Sequence, residues 1–325
     1  MSTSEIQIVV PGRMHPHAVE RISGTFRIVE IEKSDPALLS PEVASAIRGI
    51  AVVGTSMGIG PSFVDALPNL EIVANFGVGY DSVDARYCAT KGICVTNTPD
   101  VLSEEVADTA MGLLLMAARE LPAAERYLRA GQWVAKGPFP LTRATLRGRK
   151  LGILGLGRIG KAIARRAEAF GLEIHYHGRS RQPDVAYRYH ETLLGMAEAC
   201  DTLMVVAPGG ASTKGIVNAE VLQALGPEGI VVNVGRGTVI DEPALVKALQ
   251  DGTILSAGLD VFEDEPRVPQ ALIDLEHVVL LPHVGSASQH TRNAMGQLVV
   301  DNLLSWFQNG KPVTPVAETP FVRKV

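Results

Sequence analysis

Three short segments carry the polar residues best suited to chemistry: Val234-Gly235-Arg236-Gly237, Asp260-Val261-Phe262-Glu263-Asp264-Glu265-Pro266 and Leu281-Pro282-His283-Val284-Gly285-Ser286. Each closes an apolar run, so each is expected where a buried strand ends. A cation can hold a carboxylate and polarise a carbonyl oxygen, and an acid can protonate that oxygen, which together would serve a carbonyl reduction if a hydride donor is supplied. Arg236 suits the first task and His283 the second. Glu265 is the candidate partner of the imidazole, because a carboxylate bonded to the ring fixes its tautomer and favours the protonated form. Plain roles fit the same residues: a strand-end ion pair for Arg236, a satisfied loop histidine for His283, a solvated carboxylate for Glu265. His15, His17, His175, His177, His190, His277 and His290 are expected on surfaces or helices, without chemistry.

A hydride donor is suggested by RKLGILGLGRIGK, residues 149–161, which passes directly into the helical pattern AIARRAEAF. Strand, tight turn and helix follow in the order that a dinucleotide site requires. Gly155 would make the turn, Gly157 would let the backbone approach a pyrophosphate, and Gly160 would let helix pack on strand. The diphosphate would sit at the helix N-terminus, where unpaired N–H groups and the dipole favour an anion. An NAD-specific site would carry an acidic residue about 20 residues past the glycines. Here the next strand, EIHYH, runs into Gly178, Arg179, Ser180 and Arg181. Guanidinium groups without a competing carboxylate point to the 2′-phosphate of NADP(H), with NAD(H) weaker; the alternative is a solvated basic loop.

Composition narrows the class. The chain has 325 residues, 30 basic and 35 acidic, with a formal net charge of −5. That length suits about two domains, and the charge offers no basic field for nucleic acid. Cys88, Cys94 and Cys200 lack metal-ligand spacing and form no even disulfide set, so no metal is expected and a reducing cytoplasm is the natural compartment. The first residues, MSTSEIQIVV, lack a secretory signal pattern, and no apolar run reaches the roughly 18 residues of a membrane span. A soluble intracellular protein is expected.

Two alternating series must position these residues. IQIVV, FRIVEI, IAVVG, LEIVAN and ICVTN, separated by helical stretches, predict a first α/β domain with a parallel sheet. Its loop Phe76-Gly77-Val78-Gly79-Tyr80-Asp81 could present backbone N–H groups to a small carboxylate, or could use glycine for conformation alone. Asn97-Thr98-Pro99-Asp100 marks the domain crossing and leads into a helix, VLSEEVADTAMGLLLMAARE, apolar enough to be buried on more than one side. Residues 125–147 are too long for a casual connection and read as a lid or an arm around a partner subunit, with Trp133 and Phe139 for contact. From Leu151 the strands LGILG, EIHYHG, TLMVVAP, VVNVGRG, AGLDVF and VVLLPHVGS supply a second doubly wound sheet. A last helix, SQHTRNAMGQLVVDNLLSWFQNG, stops at Gly310 and is expected to return to the first domain.

The motifs TNTPDVL, EEVADTAMGLLL, LGILGLGRIG, YHGRSR, VVNVGRG, AGLDVFEDEP and LLPHVGS together resemble the D-2-hydroxyacid dehydrogenase family, within it the glyoxylate/hydroxypyruvate reductase and hydroxyphenylpyruvate reductase branch. The resemblance covers nearly the whole chain. It implies an α/β fold of two Rossmann-like, flavodoxin-like doubly wound domains with a cleft between them. The substrate domain would be split, residues 1–99 and 286–325, around a coenzyme domain, 100–285, with a dimerisation arm at about 120–147 and a homodimer built through the coenzyme domains. It further implies that Arg236 binds and polarises the substrate, Glu265 assists His283, His283 exchanges the proton, and the Val78 and Gly79 backbone holds the substrate carboxylate. Thr109 and Asp260 would contact the coenzyme, Asp260 at the nicotinamide amide. Arg158, Ile159, Arg179, Ser180 and the Ala207-Pro208 turn would surround the rest, and Val234, Gly235 and Gly285 are counted with the same site. Met57, counted with the substrate site, lies in a loop that often carries smaller or more polar residues in the family, so substrate size does not transfer from any one branch. The expected reaction is NADPH-preferring reduction of a small 2-oxo acid to the D-2-hydroxy acid. Aromatic 2-oxo acids are the alternative substrates, and a non-catalytic nucleotide-sensing protein is the alternative class.

Overall fold

The computed structural model describes residues 3–53 and 58–321. It comprises two compact units, Met1–Leu102 with Ser288–Val325, and Ser103–Ala287. Met57 lies outside the described residues. Among the described residues no helix is long and apolar enough to cross a membrane.

The first unit is built on β1 (Gln7–Pro11), β2 (Arg27–Ile31), β3 (Ile47–Val53), β4 (Ile72–Phe76) and β5 (Cys94–Thr96). All pairs are parallel, in the order β2-β1-β3-β4-β5. This is a doubly wound, flavodoxin-like arrangement. β4 is buried along its whole length, as a parallel strand covered on both faces must be. The helix Gln289–Asn309 packs on this unit, burying Met295, Val299, Leu303 and Trp306. Ser288 starts it by accepting from the Thr291 N–H, and Gly310, at φ 71°, ends it. Beyond it the chain runs back along β5 through an antiparallel bridge between Thr96 and Pro315.

The second unit is built on β6 (Lys150–Leu154), β7 (Glu173–His177), β8 (Arg188–Tyr189), β9 (Thr202–Val205), β10 (Ile230–Asn233), β11 (Ser256–Leu259) and β12 (Val279–Leu280). Its parallel sheet has the order β12-β11-β10-β9-β6-β7-β8, which winds outward both ways from β6 in the Rossmann manner. β8 was not among the expected strands, because two residues at a sheet edge carry no readable alternation. The helix Ser103–Arg119 buries two flanks, packing on the helix Arg158–Ala169 and on β10 and β11. Gly258 permits that contact: a Cβ there would lie 3.1 Å from the Leu113 Cβ.

At the amino ends of these strands a buried Arg149 donates to Thr202 Oγ1 and to the carbonyls of Asp201 and Glu228, and pairs with Asp201 Oδ1 at 2.9 Å. Its charge is thus satisfied by the fold, and this end of the sheet is structural.

Two expectations change. Phe139 is half-buried against Tyr127, ring centroids 5.4 Å apart, with Tyr127 Oη donating to the Gly137 carbonyl; Trp133 remains 61% exposed. Apolar contact within the segment has already used the ring of Phe139. His175, expected at a surface or on a helix, is fully buried in β7.

Candidate active site

The sheet order of the second unit reverses between β6 and β9, where a doubly wound sheet opens a crevice beyond its carboxyl ends. Gly155 turns there at φ 98°, and a Cβ would sit 3.0 Å from the Ala207 nitrogen. A Cβ on Gly160 would lie 2.3 Å from the Gly155 carbonyl oxygen, so helix and strand meet only because that side chain is absent. Gly157 caps the helix Arg158–Ala169 without any side-chain acceptor, and the space beside it is open. The Ile159 and Gly160 N–H groups have no acceptor among the described residues and are therefore available to an anion. Beyond β7, Arg179, Ser180 and Arg181 are exposed, and among the described residues neither arginine has an ion-pair partner. Gln182 ties this loop to the glycine turn, donating from its side chain to the Leu156 carbonyl (2.7 Å) and from its backbone to Tyr176 Oη (2.8 Å). An open cradle, unshared amides and two unpaired guanidiniums fit a dinucleotide bearing a 2′-phosphate.

Arg236 follows β10 in a loop fixed at both ends. Asn233 accepts from the Gly235 N–H and donates to the Arg236 carbonyl, each at 3.0 Å. Gly237 lies so close to the next segment that a Cβ would fall 1.8 Å from the Phe262 carbonyl carbon. Gly235 in turn faces the Ala207 carbonyl oxygen, 2.7 Å from where a Cβ would be. Arg236 itself donates to the Gly235 carbonyl at 2.8 Å.

His283 stands on a loop that Asp260 holds. The buried Asp260 carboxylate accepts from the Val284 and Gly285 N–H groups at 2.7 and 2.8 Å, and its carbonyl accepts from the His283 N–H at 2.9 Å. Burial pushes the Asp260 carboxyl up, against the pull of those two N–H donors. This grip keeps His283 in the left-handed region at φ 53°, a conformation that costs a residue with a Cβ about 1–3 kcal/mol. Thr109 Oγ1 lies 3.3 Å from the Gly285 carbonyl and 3.2 Å from that of Glu105, behind the same loop.

The imidazole Nδ1 meets Glu265 Oε2 at 2.7 Å, and Glu265 Oε1 accepts from the Phe262 N–H at 3.1 Å. Burial works to raise the Glu265 carboxyl, but the His283 hydrogen bond and charge, the Phe262 N–H and the Arg236 charge outweigh it and hold it below its ordinary value. A carboxylate only accepts, so Nδ1 carries the proton in this contact. Nε2 has no partner among the described residues, and the side chain is 31% exposed. The pair can therefore deliver or take a proton at Nε2.

In the first unit, the loop after β4 turns its carbonyls inward. Those of Gly77 and Gly79 accept from Asn75 Nδ2, each at 3.1 Å, and that of Val78 accepts from Asn97 Nδ2 at 2.8 Å. No acceptor among the described residues takes the N–H of Val78 or Gly79.

Residues 111–285 match the family described as D-isomer specific 2-hydroxyacid dehydrogenase, NAD binding domain. The chain belongs to the D-2-hydroxyacid dehydrogenases. It is 51% identical to glyoxylate/hydroxypyruvate reductase A of Arabidopsis thaliana over 267 residues, 82% of this chain and 85% of that one. It is 50% identical to hydroxyphenylpyruvate reductase of Plectranthus scutellarioides over 275 residues, 84% and 86% of the two chains. Among solved structures it resembles the NADPH-dependent glyoxylate/hydroxypyruvate reductase of Sinorhizobium meliloti in complex with NADP and malonate, with a TM-score of 0.95 and 58% identity over 99% of this chain and 100% of that one.

In this dehydrogenase Arg236, Glu265 and His283 follow three strand ends of one unit, and Thr109, Asp260 and Gly285 form the support of the His283 loop. Ala207 and Pro208 follow β9, where Pro208 accepts from Thr213 Oγ1 at 2.7 Å. Asn75, Asn97, Thr98 and Asn233 hold the two loops, a role not expected from the sequence, where Asn97 and Thr98 stood only as the domain crossing. The readable signal was an asparagine at or next to the end of an otherwise apolar strand, IVANF and IVVN.

Proposed function

We propose that this dehydrogenase reduces a small 2-oxo acid, glyoxylate or hydroxypyruvate, to the D-2-hydroxy acid with NADPH preferred over NADH. The observation that carries the reading is the His283–Glu265 pair with its open Nε2, in the same unit as an unpaired Arg179 and Arg181. The relatives' names supply the substrate class. The unit Ser103–Ala287 would hold the coenzyme and the split unit the substrate.

Gly155, Gly157, Arg158, Ile159 and Gly160 would hold the diphosphate, and Arg179, Ser180 and Arg181 the 2′-phosphate. Thr109, Ala207, Pro208, Val234, Gly235, Asp260 and Gly285 would border the remainder. When bound, the coenzyme supplies the hydride. Arg236 takes the substrate carboxylate and draws charge from the carbonyl, which makes C2 the better electrophile. In the first unit the Val78 and Gly79 N–H groups would take a carboxylate. As negative charge builds on the carbonyl oxygen, His283 gives it the Nε2 proton, and Glu265 keeps Nδ1–H engaged throughout. In oxidation His283 takes that proton back.

Hydroxyphenylpyruvate reductase at 50% identity supports aromatic 2-oxo acids as the second reading. A homodimer joined through the arm is supported by exposed Trp133, Val134 and Leu141. A reducing cytoplasm is supported by three buried free cysteines.

Initial rates of NADPH and NADH oxidation with glyoxylate, hydroxypyruvate and phenylpyruvate test the proposal. The small acids with NADPH should give the highest kcat/KM. Arg179→Ala should lower the NADPH-to-NADH preference about tenfold, the loss of roughly one charge-assisted contact. Negligible turnover of all three acids would leave a nucleotide-sensing protein instead.

A further inference from the structure

We infer that Asn97, with Asn75, is a positioning residue for the substrate carboxylate, because these two side chains decide which way the Val78 and Gly79 N–H groups face. The inference rests on the assignment of the carboxylate to those amides.

In a trans peptide the carbonyl and the following N–H point in opposite directions, so fixing one fixes the other. The Gly77 carbonyl accepts from the Thr98 N–H at 3.0 Å and from Asn75 Nδ2 at 3.1 Å. The Val78 N–H belongs to that peptide and is thereby turned away from both donors. The Val78 carbonyl accepts from Asn97 Nδ2 at 2.8 Å, which turns the Gly79 N–H away from Asn97. Asn75 Nδ2 also holds the Gly79 carbonyl at 3.1 Å, closing the loop. Two consecutive N–H groups facing outward make a concavity for an anion.

Nothing local would enforce this. Val78 lies between two glycines, and glycine backbone rotates freely, so the restraint has to come from groups outside the loop: the Thr98 N–H and the two asparagine side chains. It is held at a cost. Asn75 is fully buried, and its Oδ1 has no hydrogen-bond partner among the described residues, a penalty of about 1–3 kcal/mol for a buried acceptor.

Asn97 is itself anchored. Its N–H donates to the Thr314 carbonyl at 3.2 Å, and Thr314 Oγ1 donates back to the Asn97 carbonyl at 2.6 Å. Thr314 Oγ1 in turn accepts from Nδ2 of the buried Asn302, whose Oδ1 takes the Val313 and Thr314 N–H groups. A continuous set of hydrogen bonds thus runs from the C-terminal helix to the Val78 carbonyl, all within the first unit.

The chemistry requires a donor at Asn97 Nδ2. An Asp of the same shape would set an oxygen against the Val78 carbonyl and favour rotation of the peptide, withdrawing the Gly79 N–H. Asn97→Asp is therefore expected to raise KM for the 2-oxo acid by about tenfold or more, with kcat changed by less than about threefold, since the carboxylate is bound alike in ground and transition states. Asn97→Ala should raise KM less, because water can replace the lost donor. Neither variant should alter the NADPH dissociation constant. The matching neutral 2-oxo amide separates positioning from general damage: its KM should barely move, so the preference for acid over amide collapses.

If the wild-type enzyme itself uses acid and amide equally, the carboxylate assignment is wrong. If the wild type prefers the acid and Asn97→Asp preserves that preference, the positioning role is wrong. Should Asn97→Asp fail to fold, Asn97→Ala and Thr314→Val are measured in the same way, and an unchanged acid-to-amide ratio in both overturns the inference.

Discussion

Two histidine–carboxylate pairs lie in the unit Ser103–Ala287, with almost the same separation and opposite consequences. His283 Nδ1 meets Glu265 at 2.7 Å, and His175 Nε2 meets Glu173 at 2.8 Å. Each carboxyl is held below its ordinary value: Glu173 by the His175 hydrogen bond, Glu265 by its contacts in spite of burial. His175 points from the middle of β7 into the protein, is fully buried, and spends its other nitrogen on His190 Nε2 at 2.8 Å, with the two rings stacked. His283 lies beyond the end of β12, is 31% exposed, and keeps Nε2 open. The pair alone therefore does not make a site. What sets His283 apart is the unspent nitrogen, at the end of the sheet where ligands bind in such folds.

Replacing each carboxylate sharpens the contrast most. Glu265→Gln should lower kcat about 10²-fold, the lower end of what general acid–base catalysis contributes. Glu173→Gln should leave kcat within about twofold, as a substitution distant from the chemistry does. Equal losses would erase the distinction.

The same Glu265 variant carries a smaller effect on stability. A carboxyl whose folded value is depressed stabilises the fold above its unfolded value, near 4.5, and that stability is lost as the pH falls through the folded value. Thermal melting of Glu265→Gln should therefore decline less steeply below about pH 4.5 than that of wild type. His190 has the opposite linkage. Burial first, then the nearby His175, Arg188 and His177, lower its value from 6.5, so the unfolded chain takes up the proton before the folded one. Stability is then lost as the pH falls below about 6.5, and His190→Asn should flatten the drop in Tm between about pH 7.5 and 5.5. Parallel melting curves would contradict that account of His190.

The sequence reached the strands that have length and alternation, and it reached the glycine turn, because its constraints are local. It did not reach β8, whose two residues take their conformation from β7 alone. His175 was misread because EIHYH gives no sign of which alternate residues face inward when histidine lies on the buried side. The residues proposed to react stood out by type at strand ends. The supporting contacts did not: Asp260 was expected at the coenzyme and Asn97 at the domain crossing, and both hold segments distant in the chain, which periodicity does not encode.

The central claim is that His283 exchanges the proton while taking no part in holding the coenzyme. Single-turnover NADPH oxidation by His283→Asn with glyoxylate, measured beside the NADPH dissociation constant, tests it most directly. The rate should fall by about 10³-fold, within the range for loss of a general acid, with coenzyme affinity unchanged within about twofold. A rate near that of wild type, or a loss that appears only as weaker coenzyme binding, would contradict the account.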